Sequence, residues 1–195
     1  QKKPGIGFRA AFCPSLWGGK DWPPAAYNPG TELLYIPVNE NLCGAILGRG
    51  IEYEPGRSFT GAETQMTVWP GADHIGELQA WNMSTGEEVW TQEFESHNWG
   101  PLLTTAGNLV FMGGTTDRNF RAFDARTGDP LWEHRTNSGV IGVPSTYMID
   151  GIQYIAVQSG WGVDAASMTG RINRDRGTET FVPEGGVIWV FALQR

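Results

Sequence analysis

The chain has 195 residues, enough to bury a sizeable core as one domain. Its 14 Lys and Arg stand against 21 Asp and Glu, a net charge of −7 with no basic block, which argues against nucleic acid or an anionic membrane surface as a partner. No apolar run approaches the roughly 18 residues of a membrane span, and 27 Gly with 9 Trp suit a turn-rich all-β chain.

The N-terminus, "QKKPGIGFRAAF", has neither the apolar core of a signal peptide nor a starting Met, so the chain is expected to be a piece of a longer product. Cys13 and Cys43 follow in a Gly/Pro-rich region, with no Cys or His at zinc-ligand spacing. A disulfide between them would add roughly 3–4 kcal/mol on the loop-entropy scale and imply an oxidising compartment. Two buried free thiols are the alternative. "PAAYNPGTELLYIPV" (24–38) then reads as Pro, short strand, turn near Gly, apolar strand. Residues 44–76 are Gly-rich and lack a clear period, and are expected to form a long insertion on one face of a sheet, where functional loops sit.

"AWNMSTGEEVW" (80–90) reads as strand, tight Thr-Gly turn, strand, and returns 42 residues later as "AFDARTGDPLW" (122–132). "PLLTTAGNLVFMGG" (101–114) and "PSTYMIDGIQYIAVQ" (144–158) repeat the plan of 24–38. "RINRDR" (171–176) reads as a solvated basic loop, no run argues for a long helix, and "GGVIWVFAL" (185–193) is a final strand that could close a sheet with a segment outside the chain. A period near 42 is that of propeller blades, each a four-stranded sheet. The count predicts three and a half to four blades, with Trp81, Trp90 and Trp132 packed between sheets. Half a ring would expose sheet edges, so other segments are expected to complete it.

"CPSLWGGKDWPPAAYNPGTELLYIPVNENLC" (13–43), "HNWGPLLTTAGNLVFMGGTTDRNFRAFDARTGDPLWE" (97–133), "GVPSTYMIDGIQYIAVQSGWG" (142–162) and "EGGVIWVFAL" (184–193) together resemble the C-terminal part of the quinoprotein alcohol dehydrogenases, the group that includes methanol and ethanol dehydrogenases. The resemblance implies an all-β fold: the C-terminal half, about four blades, of an eight-bladed β-propeller whose 42-residue unit is a tryptophan-docking motif. It implies pyrroloquinoline quinone (PQQ) as cofactor and a calcium or lanthanide ion held mainly upstream. It also implies oxidation of a primary or secondary alcohol or a polyol, and electron transfer to a cytochrome c in the periplasm of a Gram-negative bacterium. The catalytic Asp and the metal ligands would lie upstream, so neither is expected in residues 1–195, and the chain would need the N-terminal half of the ring for activity.

Site roles follow from the same resemblance. Asp21 of "GGKDW" matches a position that reaches the quinone oxygens, and Trp22 would line the same pocket. Trp99 of "HNWG" and Trp161 of "SGWG" match tryptophans bordering the cofactor, the Trp161 ring N–H able to donate to a carboxylate or carbonyl, with Gly160 and Gly162 allowing close backbone approach. A flat, acidic, oxidised cofactor calls for aromatic faces, donors at its carbonyls and dry surroundings. Each residue has a plainer reading: Asp21 could cap its own turn, and any Trp could be core. His74, His97 and His134 have no ligand-like companions and read as surface or packing residues. The rival reading of the whole is a non-catalytic propeller module that binds or scaffolds.

Overall fold

The computed structural model describes residues 3–57 and 59–193. Fourteen strands and one helix follow in order among these residues: β1 (Arg9–Phe12), β2 (Ala26–Asn28), β3 (Leu33–Asn39), β4 (Leu42–Gly48), β5 (Ala62–Val68), β6 (Gly76–Asn82), β7 (Glu88–Phe94), β8 (Leu102–Thr104), β9 (Leu109–Met112), β10 (Asn119–Asp124), β11 (Pro130–Arg135), β12 (Ser145–Ile149), β13 (Ile152–Ser159), α1 (Val163–Arg176) and β14 (Val187–Leu193). They form four antiparallel sheets. Two are complete four-stranded blades, β2-β3-β6-β7 and β8-β9-β10-β11. The third, β12-β13-β14, has three strands, and the fourth is β1-β4-β5.

The two repeat units are the β6–β7 and β10–β11 hairpins, and their turns carry one hydrogen-bond pattern. The Asn82 side-chain oxygen accepts from the Ser84 and Thr85 N–H groups at 2.8 and 2.9 Å. Asp124 does the same for Arg126 and Thr127 at 2.7 and 3.3 Å. Gly86 and Gly128 then take φ of 72° and 79°, the left-handed conformation that Gly adopts without penalty. An acceptor side chain at the turn's first position explains why Asn and Asp interchange there. Both hairpins also shift register at the same point, after Ala80 and after Ala122.

The tryptophan of the first unit reaches into the second. The Trp90 indole N–H donates to the Ala125 carbonyl at 3.2 Å, and its ring packs on Tyr35 with centroids 5.7 Å apart. The Tyr35 hydroxyl donates to the same carbonyl at 2.9 Å. Between these two blades lies a core of Leu33, Tyr35, Leu78, Val110, Met112 and Phe123. A second core, of Phe111, Phe120, Val140, Ile155 and Val157, joins the second blade to the third sheet.

Residues 44–76, Ser58 aside, leave the first blade between its paired strands β3 and β6 and build most of a separate sheet. There β4 pairs with β1 on one edge and β5 on the other. A Cys13–Cys43 disulfide ties β4 to the segment after β1.

One expectation is overturned. Residues 163–176 form a 14-residue helix, so "RINRDR" is helix and not a solvated loop. Its buried positions, Ala165, Met168, Thr169 and Ile172, recur at helical spacing. Gly162 caps its start, Gly177 at φ 66° ends it, and Asp164 with Arg174 and Arg176 complement its dipole. Two of the run's three arginines are engaged: Arg171 donates to the Thr64 hydroxyl at 3.0 Å and Arg176 to the Ala72 carbonyl at 3.3 Å, while Asp175 accepts from the Val68 N–H at 2.7 Å. The helix therefore pins the β1-β4-β5 sheet to the face where the site lies.

Candidate functional site

Three loops on one face of the blades bring the sequence-predicted aromatic residues together. Trp22 comes from the segment between β1 and β2, together with Trp17, which the sequence did not single out; Trp99 comes from the β7–β8 loop, and Trp161 stands two residues beyond the end of β13. Trp99 is the hub. Trp22 meets it edge-on at 6.0 Å and Trp17 at 6.1 Å between ring centroids. Trp99 and Trp161 share one buried cluster with Ala165 and Met168 of α1, closed by Val182. Trp22 is 50% exposed and so is the ring of this group with a free face.

The local fold explains each placement. Gly100 and Gly114 sit back to back, and a Cβ on either would overlap the other strand's backbone. That contact seats the Trp99 N–H on the Gly114 carbonyl at 2.9 Å. Gly139 lies under the Trp161 ring, where any Cβ would overlap the indole. Gly160 bonds the same segment, its N–H donating to the Gly139 carbonyl at 2.7 Å.

A cleft of about 480 Å³ opens beside Trp161, and five of its eight lining residues are Gly142, Gly160, Gly162, Gly185 and Gly186. Such walls expose backbone and admit a flat ligand closely.

Polar groups divide into committed and free. The Trp161 indole N–H, expected to donate to a cofactor oxygen, instead donates to the Thr169 hydroxyl of α1 at 3.2 Å. The Asp21 carboxylate accepts from the Trp22 N–H at 2.7 Å and so caps its own turn. Lys20 braces the same turn through the Asp21 and Pro23 carbonyls at 2.6 and 2.9 Å. The buried Trp99 indole N–H has no partner. An orphaned buried donor is costly, and a ligand carbonyl or carboxylate would satisfy it. Trp161 and the glycine walls fit a planar, carbonyl-rich, acidic cofactor, while the Trp99 donor lies behind the cleft lining and His97 Nε2, beside Trp161, is a second buried atom without a partner. Among the described residues, no group of three His, Cys, Asp or Glu converges to hold a metal ion.

His97, read from sequence as a surface or packing residue, is the latter. His97 is buried against the Trp161 ring at 5.6 Å, and burial pushes its pKa down to about 4, so it is neutral at pH 7. Sequence reasoning passed over Trp17, Asn39, Asn98 and Gly139, which also belong to the setting. The glycines flanking Trp99 and Trp161 were the usable signal; a lone buried Asn or His carries none.

Comparison with known proteins gives this geometry its class, a quinoprotein β-propeller. Residues 92–155 match the family described as "PQQ: Glucose/ethanol/alcohol dehydrogenase, beta-propeller domain". The chain is a segment of a propeller of the quinoprotein alcohol dehydrogenase family. It is 42% identical to the quinoprotein alcohol dehydrogenase PedH of Pseudomonas putida, over 93% of this chain and 30% of that protein. It is 33% identical to the lanthanide-dependent methanol dehydrogenase of Methylorubrum extorquens, over 93% of this chain and 32% of that one. A solved europium-containing methanol dehydrogenase superimposes with a TM-score of 0.84 at 33% identity, covering 96% of this chain and 36% of its own. The chain thus spans about a third of the length of these relatives.

Proposed function

We propose that the chain forms one wall of the PQQ pocket of a quinoprotein alcohol dehydrogenase. The observation that carries this is the linked aromatic group: Trp22 packs on Trp99, Trp99 shares a buried cluster with Trp161, and Trp161 lines a glycine-walled cleft, with the Trp99 indole donor left unpaired. Trp22 offers aromatic surface to the quinone, and the buried Trp99 ring backs it edge-on. The Trp99 N–H donates to one of its oxygens, and Gly160, Trp161 and Gly162 admit its edge. The Asp21 carboxylate keeps its second oxygen free of the turn, where it would accept from an N–H or O–H of the cofactor or from a bridging water. The helix over Trp161 excludes water from this side, which strengthens each polar contact.

PQQ, when bound, supplies the two-electron acceptor for oxidation of an alcohol to an aldehyde or ketone. The calcium or lanthanide ligands and the catalytic Asp come from the rest of the polypeptide, a cytochrome c takes the electrons, and the compartment is the periplasm. The disulfide supports an oxidising setting. The test is reconstitution of the whole polypeptide that carries this chain with PQQ and calcium or a lanthanide. Retained quinone absorbance and alcohol-dependent reduction of an artificial acceptor are the expected result. Failure to retain quinone would instead identify a non-catalytic module.

A further inference from the structure

Asn39, the last residue of β3, touches both halves of the aromatic hub without belonging to either. Its backbone N–H donates to the Gly19 carbonyl at 2.7 Å, holding the "GGKDW" segment that presents Asp21 and Trp22. Its buried side chain faces the other way. Nδ2 donates to the Asn98 carbonyl at 3.1 Å, and Oδ1 accepts from the Asn98 N–H at 2.9 Å. The amide thus completes both backbone bonds of the residue before Trp99, as a neighbouring strand would. Asn98 extends the lock: its Nδ2 donates to the Glu77 carbonyl at 2.7 Å and its Oδ1 accepts from the Gly100 N–H at 3.0 Å. The N–H groups of residues 98, 99 and 100 are all held in this way.

We propose that Asn39, acting with Asn98, is a positioning residue of the quinone pocket, fixing Trp99 and the Trp22 segment relative to each other. This rests on the reading of those tryptophans as pocket residues. The chemistry demands an amide. Asn offers one donor and one acceptor side by side, where Asp offers acceptors only and would bring a charge into a buried site. Ala would leave both Asn98 backbone groups unpaired.

The test compares Asn39→Ala, Asn39→Asp and Asn39→Ser with Trp99→Phe and with Val110→Ala, a core variant of the neighbouring blade, in the whole polypeptide. Melting of the apo form and PQQ affinity by fluorescence titration are read for each. The Asn39 variants are expected to weaken PQQ binding about tenfold or more, beyond the loss in Val110→Ala. Asn39→Ser, which retains one bond at a time, should fall between and keeps the test readable if Asn39→Ala does not accumulate. PQQ affinity within twofold of wild type in the Asn39 variants, alongside weakened binding in Trp99→Phe, would overturn the positioning role and spare the pocket. No effect in Trp99→Phe would overturn the pocket reading and the positioning role with it.

Discussion

The two docking units, 80–90 and 122–132, share a turn, a bulge and a terminal tryptophan, yet their tryptophans live differently. Trp90 is partly buried, bonds the Ala125 carbonyl and lies over Gly128 of the second unit. Trp132 is 40% exposed and rests edge-on against Phe191 of β14 at 4.9 Å. The eleven-residue unit is therefore not self-sufficient. Its tryptophan becomes a lock only where the Thr-Gly turn of the following unit lies beneath it. The loops after each unit diverge further. One period on from His97 and Trp99 stand Gly139 and Ile141. His97 leans on Trp161 in one loop, and Gly139 makes room for the same ring in the other.

The largest effect should separate the two tryptophans. Trp90→Ala is expected to cost about 3–5 kcal/mol, the range for removing a packed aromatic ring. Trp132→Ala should cost about half as much, because much of its ring is already in water. Urea unfolding of the two variants measures the difference, and equal losses would break the comparison.

The His97 loop adds a pH signature that Gly139 cannot have. Burial holds the folded His97 pKa down at about 4, against 6.5 for a free imidazole. The unfolded chain therefore takes up its proton first as pH falls. The stability this group contributes is complete above about pH 6.5 and declines through the window down to about 4, by about 3 kcal/mol in total. His97→Gln should remove that part of the slope between pH 6.5 and 4.5 in denaturant titrations. His74 acts in the opposite sense. Burial opposes its charge, but hydrogen bonds to Asp73 and Glu77 outweigh burial and raise its pKa. Its contribution is thus complete below 6.5 and lost as pH rises through the raised value.

The turns should differ too. Gly128→Ala places a Cβ 2.6 Å from the Trp90 ring at a φ of 79°, so backbone strain and overpacking add, to about 2–4 kcal/mol. Gly86→Ala has the same strain at φ 72° but open space around it, and should cost only about 1 kcal/mol. Thermal melts of both variants give the smallest and cleanest test of where docking occurs.

The blades were legible because period, turn residues and alternation all agree in residues 76–135. The helix was not, because its buried stripe is built from Ala165, Met168, Thr169 and Ile172, half of them small or polar, ahead of a basic run that looks solvated. The sheet of β1, β4 and β5 escaped because its strands pair across a long Gly-rich stretch with no repeat. At the site, glycine neighbours marked Trp99 and Trp161. The Asn39–Asn98 lock left no trace, since its meaning depends on a contact between residues far apart in sequence. Asp21 was read for the cofactor, and the structure adds its turn-capping bond to Trp22.

The central claim is that Trp22, Trp99 and the Gly160–Gly162 segment face the quinone. The crystal structure of the PQQ-loaded polypeptide tests it most directly. Quinone ring atoms are expected within about 4 Å of Trp99 and of the Gly160–Gly162 backbone, with the Trp99 indole N–H donating to a quinone oxygen. Quinone density elsewhere, with that N–H still unpaired, would contradict it.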